Sequence, residues 1–457
     1  KSGMADAYQL VKIDKISGEE TRIRQAAAYD KFSYANEWLC WNEYHSDHRY
    51  LNQNYSNIVL IQLDSNKPVY LTSKSRYFVP SLSPDGEHFV AVEYTNDRTC
   101  ELLLFNRQSQ IIDRRFPNPE NYFIQTPAWD IGGQRIVYTQ QKYHGKSLVM
   151  RNIVSDIESI LIPEGFENIA NPTFYKNYVI YESSYSGIDN IYAIDTISLD
   201  RYQITSRKFG ASMPAVSLDQ TLLYFSDYDL TGYDIAYMPL NPEEWIPIEQ
   251  IKNRDIRYYD PIIDQEQGKS IMEAMTDIPQ TEYDVSDYKQ FKHILNIHDW
   301  SVIPNGTELQ LLVSSTDLLN TTRISFGTNY LLNEDAFNAF VDFSYAKYYP
   351  VFSGGFSMGE RHANYVTDSG SDSTDSWNET ALHLDLTIPY VNTKGNWTRQ
   401  AYGKMGAAYI QSSGQLIQES HDEINGSFIP VNYAFHSVIR IPLPSGICIP
   451  GIILPLI

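Results

Sequence analysis

The first candidate for metal chemistry is the stretch Ser226-Asp-Tyr-Asp-Leu-Thr-Gly-Tyr-Asp234. It spaces the side-chain oxygens of Asp227, Asp229 and Thr231 and then places a glycine, as calcium-binding loops do. No glutamate follows at the twelfth position, and the similar stretch Ser183-Ser-Tyr-Ser-Gly-Ile-Asp-Asn reads as an ordinary turn. We therefore predict a solvated hairpin turn here and no calcium site.

The second candidate is His45-Ser-Asp-His48, which lies within a polar insertion from His45 to Ser56. Two imidazoles and a carboxylate are suitable ligands for a transition metal. However, no helix places the two histidines on one face, and the sequence shows no third, distant ligand. We expect a loop in solvent, and we predict no metal site and no cofactor.

The sequence motifs of common hydrolases and nucleotide-binding proteins are missing. There is no Gly-x-Ser-x-Gly elbow, no His-Glu-x-x-His helix and no glycine-rich phosphate loop. We name no catalytic residue and expect no catalysis within this chain. A protease domain upstream of Lys1 is the alternative, and the start Lys1-Ser-Gly-Met, which has no signal segment, indicates a fragment or a processed product.

The charge and the cysteines exclude further classes. Lysine and arginine total 35 against 56 aspartates and glutamates, so the formal net charge is −21. A phosphate backbone would be repelled over most of such a surface, which argues against nucleic-acid binding. Cys40, Cys100 and Cys448 have no metal-ligand spacing and are too few for a disulfide scaffold. The redox state of Cys40 and Cys100 stays open.

A repeated unit organises the first part of the chain. Segments that begin at Pro80, Pro127, Pro172 and Pro214 recur at a period of about 42–47 residues, with the same order of strand, tight turn and strand. A member without the proline begins at Phe32, and a weaker sixth begins at Pro261. A second hairpin follows each of the first five units. Four strands per period predict the blade of a β-propeller.

The number of blades depends on the two ends of this region. The segment from Tyr8 looks like the outer two strands of a blade, and the weak unit at Pro261 looks like an inner pair. Joining them would close a ring of about six blades and leave no strand edge exposed. The alternative is that the first blade is cut by the beginning of the sequence.

Two sequence signatures resemble the repeats of periplasmic TolB-like propellers. One is the strand ending Tyr70-Leu-Thr followed by Pro80-Ser-Leu-Ser-Pro-Asp-Gly, and the other is Tyr202-Gln-Ile-Thr followed by Pro214-Ala-Val-Ser-Leu-Asp-Gln. The resemblance covers residues 8–275. It implies a propeller in the periplasm that binds other proteins.

In such a ring, the loops before each blade proline would line the mouth of a central channel. Each carries an aromatic or amide side chain, the mixture expected of a peptide-binding surface. The alternative is that the aromatic side chains pack between blades. The candidate binding residues are Arg76, Tyr77, Tyr122, Asn168, Phe209 and Ser212.

The second part of the sequence alternates with a period of two. In Phe337–Tyr345 one face carries Phe337, Ala339, Val341 and Phe343, whereas the other carries Asn338, Asp342 and Ser344. Lipid outside and a polar lumen inside produce this pattern, and so does a half-buried sheet of a soluble sandwich. The candidate strands lie near residues 308–315, 323–332, 337–347, 351–358, 382–391, 401–411 and 431–438.

The segment Tyr288–Trp300 resembles the connector that joins a TolB-like propeller to a surface-antigen-type β-barrel in bacterial outer-membrane proteins. That resemblance implies an outer-membrane barrel, which the chain does not complete. The cluster Tyr345, Tyr348, Tyr349 and Phe352 would be its interfacial aromatic girdle, and the polar run from Thr367 a long extracellular loop.

Together these observations predict an all-β protein in three parts. Residues 1–275 form a propeller of about six blades, residues 276–304 a connector, and residues 305–457 a partial outer-membrane β-barrel with an irregular tail. The expected function is non-catalytic binding of a protein or peptide at the propeller channel, in envelope assembly or transport. The propeller would face the periplasm, with the C-terminal strands in the outer membrane. The alternative function is that of the propeller and barrel portion of a larger membrane-associated protease.

Overall fold

The computed structural model describes residues 9–25, 31–50, 53–63, 65, 67–230, 232–254, 260–265, 281, 283–284, 286–367, 369–394, 397–414, 431–442 and 448–449. The fold is all-β, as predicted, and the chain divides into two compact units. The first comprises Lys1–His45 and Asn54–Thr281, and the second comprises Ser46–Gln53 and Glu282–Ile457. The predicted three-part boundaries stay a prediction.

The first unit is a ring of antiparallel blade sheets that follows a two-stranded hairpin, β1 (Gln9–Ile13) and β2 (Glu20–Gln25). Blade one contains β3 (Phe32–Ala35), β4 (Trp38–Ser46), β5 (Asn54–Gln62) and β6 (Pro68–Tyr70). Blade two contains β7 (Tyr77–Leu82), β8 (His88–Tyr94), β9 (Cys100–Asn106) and β10 (Ile112–Phe116). Blade three contains β11 (Phe123–Trp129), β12 (Arg135–Lys142), β13 (Gly145–Asn152) and β14 (Glu158–Gly165).

Blade four contains β15 (Ile169–Tyr175), β16 (Tyr178–Ser183), β17 (Asn190–Asp195) and β18 (Arg201–Gln203). Blade five contains β19 (Ala211–Val216), β20 (Leu222–Asp229) and β21 (Gly232–Pro239). After it come the helical turns Pro242–Glu244 and Ile248–Gln250, the two-residue strand β22 (Ile246–Pro247) and the short helix α1 (Asp260–Gln265).

Apolar side chains hold successive blades together. Leu60 of blade one packs in the same cluster as Phe89 and Phe105 of blade two, and the rings of Phe89 and Phe105 are stacked with centroids 4.7 Å apart. The next cluster joins Leu102 of blade two to Ile136 of blade three. Two further clusters join blade three to blade four and blade four to blade five. The core of this unit therefore lies between successive sheets, from blade one to blade five.

The hairpin β1–β2 packs against blade one. Leu10 lies in a cluster with Trp41 and Val59, and Arg24 donates a 2.8 Å hydrogen bond to the carboxylate of Glu43. The hydroxyl of Tyr70 and the indole of Trp41 donate to the same buried carboxylate. These bonds satisfy a carboxylate that would otherwise be costly to bury.

The described part of the first unit holds five blades, one fewer than the predicted count of about six. The repeat at Pro261 was predicted to be an inner strand pair, whereas Asp260–Gln265 is helical, and residues 266–280 lie outside the described residues. Blade five has three strands. The next strand, β22, instead pairs with β18 of blade four. The face of β21 is left with Tyr233, Ile235 and Tyr237 exposed.

The second unit is one antiparallel sheet in which each strand pairs with the next along the chain. A helical turn, Gln290–His293, precedes it. Its strands are β23 (Ile297–Asn305), β24 (Glu308–Thr316), β25 (Thr322–Leu331), β26 (Ala336–Tyr345), β27 (Val351–Val366), β28 (Asp372–Lys394), β29 (Trp397–Gly414), β30 (Val431–Pro442) and β31 (Cys448–Ile449).

All seven candidate strands of this part are present. Two details differ from the prediction. Ile297–Asn305, assigned to the connector, is the first strand of the sheet and pairs with β24. The polar run from Thr367 is not a long loop, because β28 begins at Asp372 and pairs with β27 as far as Val366. Serine and threonine are tolerated in a strand, so the polar composition alone did not reveal this hairpin.

The polar insertion around His48 is not a loop in solvent either, since Ser46–Gln53 belongs to the second unit. The His48 ring stacks on Tyr390 with centroids 5.0 Å apart, and its Nδ1 lies 2.7 Å from the carbonyl oxygen of Val391. Arg49 donates to the carbonyl oxygens of Ala346 and Tyr349. The insertion thus caps polar backbone groups at one end of the sheet.

Gly145, at the turn between β12 and β13, provides a test of blade packing. Its φ is +111°, and a Cβ there would collide with the carbonyl oxygen of Gly165 on β14. We expect Gly145→Ala to lower the free energy of unfolding by about 2–5 kcal/mol, through positive-φ strain and overpacking.

Gly18→Ala is the matched control, because Gly18 has a φ of +71° but no atom lies within 4 Å of the position that a Cβ would occupy. It should cost only about 1 kcal/mol, from the backbone strain. Thermal unfolding of the two variants measures the difference, and equal melting temperatures would contradict the proposed close contact.

Candidate functional site

The innermost strands of blades two to five share one unusual backbone feature. The residue directly before each blade proline has a positive φ: Val79 at 44°, Thr126 at 45°, Asn171 at 49° and Met213 at 53°. The pairing register shifts at each of these points. Positive φ is rare for non-glycine residues and most costly for β-branched ones. Each inner strand therefore carries a strained bulge at the same position.

Three of these bulges line a cavity between the inner strands. Its volume is about 670 Å³, within the range of ligand-binding pockets. Blades one to four all contribute to it. The lining residues are Tyr44, Phe78, Val79, Val92, Tyr94, Phe123, Ile124, Gln125, Thr126, Thr139, Lys146, Ala170 and Asn171.

Four aromatic rings form much of the cavity wall. Tyr44 and Phe78 have centroids 6.0 Å apart, and Tyr94 and Phe123 meet edge to face at 5.8 Å. Aromatic side chains lose little conformational entropy on binding and offer large apolar areas, so they are frequent anchors for protein and peptide ligands. The wall is therefore suited to the side chains of a peptide.

The cavity also contains polar groups that have no protein partner among the described residues. These are the hydroxyl oxygens of Thr126 and Thr139, and Thr139 is only 1% exposed. A buried hydroxyl without a hydrogen bond is costly. Both oxygens are covered by neighbouring atoms, so a ligand group removes that cost only when the wall shifts to admit it. The walls thus combine apolar area with unused hydrogen-bonding capacity.

Lys146 is the one cationic residue in the cavity wall. Its ammonium donates a 2.8 Å hydrogen bond to the side-chain oxygen of Asn168. Burial lowers the pKa of Lys146, whereas Glu182 and Asp189 act in the opposite direction from a distance. The carboxylate of Glu182 accepts from the side chain of Asn171 and from the backbone N–H of Met213.

The structure places the predicted residues of blade two at the edge of this cavity or behind it. Arg76 donates to the carbonyl oxygen of Tyr94 and lies over the Tyr94 ring. Tyr77 packs edge to face against Phe105, in the cluster between blades one and two. The Tyr77 side chain therefore packs between blades, as the alternative interpretation expected. The cavity wall is instead formed by its neighbour, Phe78.

The other predicted residues are spread over three blades. Tyr122 lies under the ammonium of Lys142, and the side-chain oxygen of Asn168 accepts a hydrogen bond from Lys146. Phe209 is 44% exposed with Lys208 over its ring, and Ser212 pairs with Ser226 in blade five. None of the six predicted residues is itself part of the cavity wall as described. Their binding role stays a prediction.

The residues that sequence analysis missed are mainly Phe78 and Phe123, each one position after a predicted tyrosine. The relevant sequence signal was the X-Pro step itself. A bulge at this step interrupts the regular alternation of the strand, so position relative to the proline did not reveal which aromatic faces inward.

The sheet of the second unit presents a different kind of surface. One row of directly paired residues crosses seven strands, from β23 to β29, and every member is apolar or aromatic. On the same face, Val341 is 48% exposed and Leu384 is 56% exposed. The row is Trp300, Val313, Phe326, Val341, Phe356, Leu382 and Tyr409.

The opposite face is polar and contains small residues. Asp342 pairs with Gly355, which pairs with His383. The Lys404 ammonium lies 3.1 Å from the carboxylate of Asp385 on the neighbouring strand. Added Cβ atoms at Gly355 and Gly406 would collide with the Asp342 and Asp385 side chains, respectively. Glycine at these two positions thus makes room for charged groups.

The stretch from Ser226 to Asp234 is the tip of the hairpin formed by β20 and β21, as predicted, with Asp229 paired to Gly232; Thr231 lies outside the described residues. The Asp227 carboxylate binds the guanidinium of Arg207. No cluster of three or more potential metal ligands occurs within the described ranges. Cys40 and Cys100 are buried free thiols, and burial raises the pKa of each.

Comparison with known proteins gives matches among solved structures only, since no family model and no curated protein matches the chain. TolB from Acinetobacter baumannii is 14% identical, with a TM-score of 0.44 over 54% of this chain and 61% of that chain. A structure described as TolB from Agrobacterium tumefaciens is 14% identical, with a TM-score of 0.40 over 50% and 84% of the two chains.

The β-propeller domain of the Trilobed protease from Pyrococcus furiosus is 9% identical, with a TM-score of 0.34 over 77% of this chain and 93% of that chain. At such identities a likeness concerns the fold alone. The assignment of a propeller therefore rests on the five blade sheets themselves. In the part of the chain that the structure describes, no helix is long and apolar enough to cross a membrane.

Alanine substitution at two predicted residues separates packing from surface exposure. We expect Tyr77→Ala to lower the free energy of unfolding by about 2–4 kcal/mol, because it removes the ring packed on Phe105. Phe209→Ala is the control and should change stability by less than about 0.5 kcal/mol, since Phe209 is well exposed. Thermal unfolding gives both values, and a stable Tyr77→Ala variant would argue against its role in the core.

Proposed function

We propose that this protein is a non-catalytic binding protein of the bacterial envelope. Its propeller holds a peptide segment of a partner protein in the central cavity, on the periplasmic side. Its sheet contributes to a β-barrel in the outer membrane and keeps the propeller there. The observation that carries the binding function is the cavity of about 670 Å³ with its four aromatic rings and unpartnered hydroxyls.

The shape and chemistry of the cavity support a peptide ligand. Apolar walls with a few polar groups are typical of sites that bind compact organic groups and fix their orientation. The overall charge of −21 disfavours a nucleic acid. The positive φ angles of Val79, Thr126 and Asn171 place strained backbone in the wall, and such strain concentrates at binding sites.

The faces of the sheet support the membrane part of the proposal. Exposed apolar patches of this extent on soluble proteins mark interaction surfaces. On β28 the apolar face runs from Leu382 to Tyr390, the length of about 9–11 residues that a membrane-crossing strand needs. Tyr345, Phe352 and Tyr390 lie near one end of their strands, where an aromatic girdle would meet the membrane interface. Lipid is therefore the proposed occupant of the apolar face.

Peptide binding is tested with the double variant Phe78→Ala, Phe123→Ala. The probe is a fluorescein-labelled amidated peptide, Gly-Gly-Gly-Leu-Phe-amide, and fluorescence anisotropy measures its affinity for the full chain. Loss of two ring anchors should weaken binding by at least about 30-fold. The control, Tyr143→Ala, removes a ring that is 68% exposed and outside the cavity wall, and it should bind like the wild type. Equal affinity of all variants, or failure of the wild type to bind both this probe and its free-acid form, would contradict the proposed site.

Membrane association is tested with two neighbouring positions of β28. Leu384→Lys places a charge on the apolar face, and it should cost about 2–4 kcal/mol at the middle of a bilayer. His383→Lys places the same side chain on the polar face and should be tolerated. Co-flotation of the full chain with phosphatidylethanolamine–phosphatidylglycerol vesicles should be lost only for Leu384→Lys. A wild-type chain that does not float, or a Leu384→Lys variant that does, would contradict the proposal.

A further inference from the structure

The cation in the cavity wall lacks a counter-ion. Lys146 Nζ contacts the neutral amide oxygen of Asn168, and none of the ion pairs found among the described residues includes it. The nearby carboxylate of Glu182 is already bound by Asn171 and by the backbone of Met213. A partly desolvated ammonium without a carboxylate in contact favours an anionic ligand.

The groups around this cation indicate what else the ligand carries. Thr139 and Thr126 each hold, just behind the wall surface, a hydroxyl that has no bond partner in the described part of the protein. Both line the same cavity as Lys146 and the four aromatic rings. A carboxylate can accept from hydroxyls and an ammonium together, and an apolar side chain next to it would contact the rings.

We infer that the cavity recognises the free C-terminal carboxylate of a peptide whose last side chain is large and apolar. Lys146 pairs with the carboxylate, Thr126 and Thr139 hydrogen-bond to it or to the last peptide group, and the aromatic wall contacts the terminal side chain. This inference deepens the proposed function and rests on it.

The size of the cavity favours a chain end over an internal segment, and the charge of the protein favours recognition by direct contact. A volume of about 670 Å³ is that of a pocket for one compact ligand, so it holds a few residues at most. The protein carries a net charge of −21, so an anion is repelled over most of the surface and gains only near a local cation. Binding of a C-terminal carboxylate therefore depends on direct contact with Lys146, because the electrostatic field of the whole protein opposes it.

Three peptides that differ only at the end test this inference on the full chain. They are the labelled peptide Gly-Gly-Gly-Leu-Phe as the free acid, its C-terminal amide, and Gly-Gly-Glu-Leu-Phe-amide, which carries the carboxylate on an internal side chain. Fluorescence anisotropy should show the free acid binding at least about 10-fold more tightly than either amide.

Variants assign that preference to the cavity. Lys146→Met should bring the ratio of acid to amide affinity close to one, whereas Lys146→Arg should retain a preference for the acid. Thr139→Val should reduce the affinity for the acid several-fold. Lys142→Met is the matched control, since Lys142 pairs with Glu120 and is not part of the cavity wall, and its ratio should equal that of the wild type.

The outcomes separate this inference from the proposed function. Equal binding of acid and amide would overturn carboxylate recognition and leave peptide binding in place. Equal binding of the free acid and the internal glutamate peptide would overturn the C-terminal assignment. A preference for the acid that survives Lys146→Met would place the recognition elsewhere and overturn the assignment to Lys146. Failure of all three peptides to bind would overturn both the inference and the proposed cavity function.

Discussion

The left-handed residue before each blade proline is the constraint on which the propeller's inner surface depends. Proline disfavours the helical region for the preceding residue, and positive φ costs a β-branched side chain such as Val79 or Thr126 still more. The strain persists because the strands on either side are held in their ladders and because apolar clusters join the blades. Packing between sheets thus offsets the cost of the bulges, and the bulges determine which side chains face the cavity.

The repeat period and the turn residues were sufficient to predict blades, since strand, tight turn and strand recur in the sequence itself. The repeat period and the turn residues were not sufficient to predict the number of blades. Both Pro214 and Pro261 begin a unit, but only the first is followed by regular strands within the described residues. A short apolar stretch such as Pro261-Ile-Ile is compatible with either strand or helix, so neighbouring contacts decide its structure.

The candidate site also contains features that the sequence alone could not determine. Tyr77 and Phe78 are adjacent aromatic residues, and composition cannot tell which packs between blades and which lines the cavity. Lys146 and Thr139 carried no sequence signal, because they lie within ordinary strands of one hairpin, β12 and β13, and become part of a cavity wall only beside residues of other blades. In the second unit, by contrast, the period of two predicted both faces correctly, since direct pairing keeps alternate residues on one side of the sheet.

Because of the insertion Ser46–Gln53, each of the two units is discontinuous in sequence. The insertion lies between β4 and β5 of blade one but belongs to the second unit, so the polypeptide passes from one unit to the other more than once. During vectorial synthesis, this early segment leaves the ribosome long before Ala346, Tyr349 and Val391, whose backbone groups it later contacts. A fragment that begins at Glu282 would leave those carbonyls uncapped, so the two units are not separable by a single cut.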